Sequence, residues 1–161
     1  MVHRFTVKEE LVTGTLAEAK KILSNQNFHL NVCSKIPSEN LKILSTGFSE
    51  SLYYLKRSQN LEVNIPDIAK KLLSGAFKLV REDKWDIEHL VCKSSFEMNM
   101  PSRFVNLAKL TEENGKLFIT VDWEVNVNVP LIGNILAKHA ESEIRRFSKI
   151  ELEIVRNELQ S

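Results

Sequence analysis

Cysteine is scarce in this chain. Among 161 residues there are two, Cys33 and Cys92. They lie far apart, and their spacing suits neither a zinc site nor a redox pair. A disulfide scaffold is therefore excluded, and both residues are expected as reduced thiols. An excess of charge is missing as well. Lys and Arg number 22 against 21 Asp and Glu, a net charge of +1. Nothing in that balance drives sequence-independent phosphate binding, so nucleic acid is not the expected partner. No apolar run approaches the ~18–20 residues needed to span a bilayer. The first residues, Met1 to Val7, have no hydrophobic signal core. Together these absences predict a cytoplasmic protein without a transmembrane segment, leaving transient contact with a membrane surface open. Glycine-rich phosphate-loop spacing is absent, and so is a Gly-x-Ser-x-Gly nucleophile elbow. His3, His29 and His89 have no ligand-like spacing, so neither a metal nor a cofactor is expected. No repeat, low-complexity tract or linker divides the chain, and its length suits one domain, residues 1–161, around one sizeable core.

What is present is clearest near the C-terminus. From Leu117 to Val129 every odd position is apolar and every even position except Phe118 is polar. Alternation of that length predicts a long strand with one dry and one wet face. Pro130 stops the ladder, because it has no N–H to give. Beyond it, Ile132, Leu136, Ala140, Ile144, Phe147, Ile150 and Ile154 recur at helical spacing, which predicts a long terminal helix.

Earlier in the chain, Val2–Lys8 reads as a first strand. Thr15-Leu16-Ala17-Glu18 is a capping box opening a short helix, and Phe28–Ile36 is a candidate second helix ended by Pro37. Leu41–Ser45 and Ser51–Arg57 read as strands around a turn at Thr46-Gly47. The register of the second is ambiguous, because Leu52, Tyr53, Tyr54 and Leu55 are consecutive. Asn64-Ile65-Pro66-Asp67 opens a further helix with a stripe of Ile68, Leu72 and Leu73 and a stop at Gly75. Phe77–Trp85, Leu90–Met100 and Arg103–Leu110 supply three more strands, and Glu113-Asn114-Gly115-Lys116 turns into the long one. Tight turns between consecutive strands imply an antiparallel sheet, and segregated helices imply an α+β fold of about seven strands closed by the terminal helix.

This order of elements resembles the START-like (SRPBCC), helix-grip superfamily, which includes polyketide cyclases, lipid-transfer START domains and pollen-allergen-type proteins. The likeness covers nearly the whole chain. It is most specific at Val125-Asn126-Val127-Asn128-Val129-Pro130-Leu131-Ile132-Gly133. The segment from Ile65-Pro66 through Gly75 to Trp85 is also similar to an uncharacterised bacterial subfamily. The resemblance implies a curved sheet wrapped around the C-terminal helix, with a cavity between them that holds a lipid or other apolar small molecule.

On the terminal helix, His139 and Glu143 lie in or beside the apolar stripe one turn apart, close enough to touch. They are candidates for a polar anchor that orients a ligand head group, or for an acid/base pair. Trp123, Val125, Phe96, Met98 and Phe147 are candidate cavity lining, and Tyr54 is a candidate hydrogen-bond donor to a ligand. The leading expectation is a ligand-binding module. The alternatives are an enzyme of the cyclase or hydratase kind, with His139 or Glu143 as general base, and a protein-interaction domain whose cavity is filled. Oligomeric state stays open.

Overall fold

The computed structural model describes residues 2–71 and 77–161. In chain order its elements are β1 (His3–Thr13), α1 (Leu16–Leu23), α2 (Gln26–Lys35), β2 (Glu39–Ser49), β3 (Leu52–Asn60), α3 (Asp67–Lys70), β4 (Lys78–Asp86), β5 (Val91–Met98), β6 (Ser102–Glu113), β7 (Lys116–Val127) and α4 (Gly133–Gln160). The seven strands form one antiparallel sheet in the order β1-β7-β6-β5-β4-β3-β2. With the long C-terminal helix across it, this is the helix-grip α+β fold.

The alternation from Leu117 onward decides which side of β7 the helix covers. Leu117, Trp123, Val125 and Val127 are buried on one face. On the other, Thr6 Oγ1 donates to Asp122 at 2.6 Å and Arg4 Nε to Glu124 at 3.3 Å, across the β1–β7 register. Leu136 and Ala137 of α4 pack on the Val125 side. Burying side chains of this size contributes ~2 kcal/mol each, and on this face it orients the helix. The approach of α4 to β7 is close. A Cβ on Gly133 would lie 2.4 Å from the Val127 carbonyl oxygen, so only glycine fits there. Irregular register at Glu10–Thr13 of β1 and at two points between β2 and β3 bends the sheet.

One half of the capping box at α1 forms: Thr15 Oγ1 accepts from the Glu18 backbone N–H at 3.2 Å, while the Glu18 carboxylate accepts from the Thr15 hydroxyl at 3.1 Å. The Asn114-Gly115 turn has positive φ at both positions, as a tight hairpin requires. The β2–β3 turn is not at Thr46-Gly47. Those residues pair with Leu55 and Tyr54 inside the ladder, and the reversal falls at Glu50-Ser51, with Glu50 at φ 56°. The reason is local. The Thr46 hydroxyl lies 2.8 Å from the Tyr53 hydroxyl and also donates to the Tyr54 carbonyl, which holds β2 straight past Gly47. The first strand likewise runs beyond Lys8 to Thr13, carried by continued pairing with β7. Leu72, Leu73 and Gly75, read above as a helix stripe and its stop, lie outside the described residues.

Candidate functional site

Under α4 the concave face of the sheet is not filled. Two chambers lie end to end, of about 170 Å³ and about 130 Å³. The first is bounded by Phe96, Met98, Met100, Phe104 and Trp123 from the sheet, by Ile65, Pro66 and Ala69 around α3, and by His139, Ala140, Glu143, Ile144 and Phe147 of α4. The second lies toward α1 and α2 and is bounded by Leu23, Phe28, His29, Val32, Leu55, Trp85, Cys92, Asn106, Leu152 and Val155. Arg81, Trp123, Ser148 and Glu151 line both, so they form the junction between the chambers.

Strand register builds that junction. Arg57, Arg81 and Phe96 stand opposite one another across β3, β4 and β5. The next inward row is Leu55, Asp83, Ser94, Asn106 and Trp123, running from β3 to β7. Two arginines opposite each other repel, so the carboxylates beside them matter. Asp83 accepts from Arg57 Nη1 at 3.0 Å, from Arg81 Nε at 2.9 Å and from the Ser94 hydroxyl at 2.5 Å. Glu151 of α4 accepts from Arg81 Nη1 at 2.9 Å. Arg57 Nε donates to Gln59 at 2.9 Å. The Arg57 side chain is 3% exposed and that of Asp83 10%. A network this deep holds together only because each charge has an opposite partner.

The titration behaviour follows from the same contacts. Burial pushes the Asp83 carboxyl up, but Arg81, Arg57 and the Ser94 hydroxyl outweigh it and bring its pKa to about 2. Burial alone would lower the Arg81 guanidinium; Asp83 and Glu151 overcome that and raise it, so it stays charged. Burial, reinforced by Asp83, pushes the Cys92 thiol upward, which makes it an inert thiol rather than a nucleophile. His29 closes the far end of the second chamber. It donates through Nε2 to the Leu23 carbonyl at 2.8 Å and stacks on Tyr53 at 4.1 Å. Burial lowers its pKa, so it sits there neutral.

Of the residues singled out from sequence, Phe96, Met98, Trp123, His139, Glu143 and Phe147 meet around the first chamber. Trp123 stacks between Phe5 and Phe96, at 6.1 and 5.1 Å. Two residues fall elsewhere. Val125 faces inward but is fully buried beneath α4, sealed by Leu136 and Ala137 rather than lining space. Tyr54 is 39% exposed on the outer face of β3, whereas Tyr53 is the inward tyrosine. His139 and Glu143 do not bond to each other. His139 Nε2 donates to the Asn64 carbonyl at 2.5 Å, and Glu143 accepts from Arg146 at 2.6 and 3.0 Å. Each has a nearer partner, because the loop before α3 reaches His139 and Arg146 is one turn from Glu143.

Sequence reading missed the charged junction. The signal was there in the alternation: Leu79, Arg81, Asp83 and Trp85 share one parity, and so do Cys92, Ser94 and Phe96. Charged side chains at apolar parity are the mark of a buried network.

The profile of a family described as "Protein of unknown function (DUF2505)" matches residues 11–157. No curated protein matches the chain by sequence. Among solved structures, the Zhui aromatase/cyclase from Streptomyces sp. R1128 is similar at 9% identity and a TM-score of 0.67, over 99% of this chain and 94% of that one. Norcoclaurine synthase from Thalictrum flavum is similar at 12% identity and a TM-score of 0.64, over 98% and 86%. Ara h 8.0201 gives 11% identity and 0.65, over 99% of both chains. At these identities the likeness is one of fold.

Proposed function

The chain belongs to the DUF2505 family of proteins of unknown function, and we propose that it is a binding module for an apolar small molecule or lipid. The ligand occupies the space between α4 and the sheet, with residues 1–161 acting as a single START-like domain. The observation that carries this reading is the first chamber, about 170 Å³ of unfilled space with walls that are mainly apolar. Phe96, Met98, Trp123 and Phe147 contact the apolar body, while His139 and Glu143 give one wall a polar edge. The driving force is apolar burial, ~25 cal/mol per Å² removed from water. Proteins of the same fold named as an aromatase/cyclase and a norcoclaurine synthase support a fold able to enclose organic molecules. The filled-cavity alternative is disfavoured by the two chambers. Cys33 and Cys92 are both buried and unbridged, which supports a reducing compartment such as the cytoplasm. Among the described residues no helix is long and apolar enough to cross a membrane.

The test is native mass spectrometry and solvent extraction of the protein purified from its own host. A bound apolar species in one-to-one ratio is expected. Protein that neither carries nor takes up any apolar compound overturns the reading.

A further inference from the structure

The junction between the two chambers has a specific charge and hydrogen-bond balance. Arg57 and Arg81 contribute two positive charges, and Asp83 and Glu151 two negative ones, so the junction is neutral. Each guanidinium carries five N–H donors. The protein uses Nε and Nη1 of Arg57 on Gln59 and Asp83, and Nε and Nη1 of Arg81 on Asp83 and Glu151. Among the described residues, neither Nη2 makes a hydrogen bond to the protein. Two further groups stand unsatisfied in the adjacent row. Trp123 Nε1 and Asn106 Oδ1 are sealed from solvent and have no partner, although the two residues face each other across β6 and β7. A buried polar atom left without a partner costs ~1–3 kcal/mol. The junction is thus neutral and richer in free donors than in free acceptors.

We propose that this junction selects an uncharged ligand with one hydrogen-bonding oxygen function, a hydroxyl, phenol or ketone, carried between apolar parts that fill the two chambers. The oxygen accepts from the free guanidinium N–H groups at the junction. An ionised carboxylate would leave a buried net charge of −1, which the low-dielectric interior opposes. An unfunctionalised hydrocarbon would leave the donors unmet. The proposal rests on the cavity-binding reading above and narrows its ligand class.

Isothermal titration with three matched probes, naphthalene, 2-naphthol and 2-naphthoate, tests it at neutral pH, where 2-naphthol is un-ionised and 2-naphthoate is an anion. 2-Naphthol is expected to bind about tenfold or more tighter than either of the others, the worth of one net hydrogen bond to a charged donor. Glu151→Gln leaves the junction at +1, and 2-naphthoate should then gain about tenfold relative to 2-naphthol. Equal binding of naphthalene and 2-naphthol to the wild-type protein would overturn the proposal, as expected if a trapped water already satisfies the donors. So would 2-naphthoate binding tightest of the three. These outcomes leave the cavity reading standing, whereas failure of all three probes to bind rejects that reading and this one with it.

Discussion

Replacing Asp83 by asparagine removes the charge that holds two buried arginines together. In the native protein its carboxylate accepts from Arg57, Arg81 and Ser94 at 2.5–3.0 Å. The proton linkage sets the scale. The pKa falls from an ordinary 3.8 to about 2, and each factor of ten in proton affinity is about 1.4 kcal/mol, so ionised Asp83 stabilises the fold by about 2 kcal/mol. Because the folded value is depressed, this contribution is complete above the unfolded pKa and is lost as pH falls from about 4 through 2. Asn, like the protonated acid, leaves Glu151 alone to balance Arg57 and Arg81, and its amide nitrogen, which only donates, faces guanidinium groups that also only donate. Breaking a buried pair in this way costs about 3–5 kcal/mol. Urea unfolding at neutral pH should show that loss for Asp83→Asn. Repeating the measurement down to about pH 2 should show that the variant lacks the part of the acid sensitivity that Asp83 contributes to the wild-type protein. A variant within 1 kcal/mol of wild type, with the same acid slope, would mean that the junction is not the buried ionic network described here.

Three further outcomes are expected. Gly133→Ala drives a methyl group against the Val127 carbonyl oxygen at 2.4 Å and should destabilise by about 1–3 kcal/mol, seen as a lower melting temperature. Thr15→Ala deletes the acceptor for the Glu18 backbone N–H and should cost about 1 kcal/mol in chemical denaturation. Burial lowers the His29 pKa below 6.5, so its contribution to stability is complete above that value and is lost as pH falls through the folded one. His29→Phe should therefore flatten the dependence of melting temperature on pH below about 6.5, and an unchanged pH profile would refute this assignment.

The strands that carry unbroken alternation were the legible ones. Leu117–Val129 specified β7 and its dry face because nothing charged interrupts that parity, and Pro130 marked its end. The wall of the first chamber followed from it, since Trp123 lies on β7, Phe96 and Met98 on the other clear strand, and Phe147 on the terminal helix. Where polar residues occupy the inward parity, pattern and burial part company. Arg57, Arg81 and Asp83 are held inside by one another, and pairing across strands is not visible in one dimension. Consecutive apolar residues at Leu52–Leu55 hid which tyrosine faces in; only the hairpin reversal at Glu50-Ser51 settles that Tyr53 does. Along α4 the stripe read from spacing runs through Ile150 and Ile154, whereas Ser148, Glu151, Leu152 and Val155 are the residues that line the second chamber. A glutamate on the covering face is tolerated there because Arg81 reaches it from β4.

The central claim is that the space beneath α4 takes up an apolar molecule. A fluorescence titration with N-phenyl-1-naphthylamine, on the wild-type protein and on Ala140→Phe, addresses it most directly, because Ala140 borders the first chamber and the larger ring would occupy it. The account predicts saturable, one-to-one brightening for wild type and a loss of about tenfold or more in affinity for a still-folded Ala140→Phe. No brightening with the wild-type protein, or equal binding by the folded variant, would contradict it.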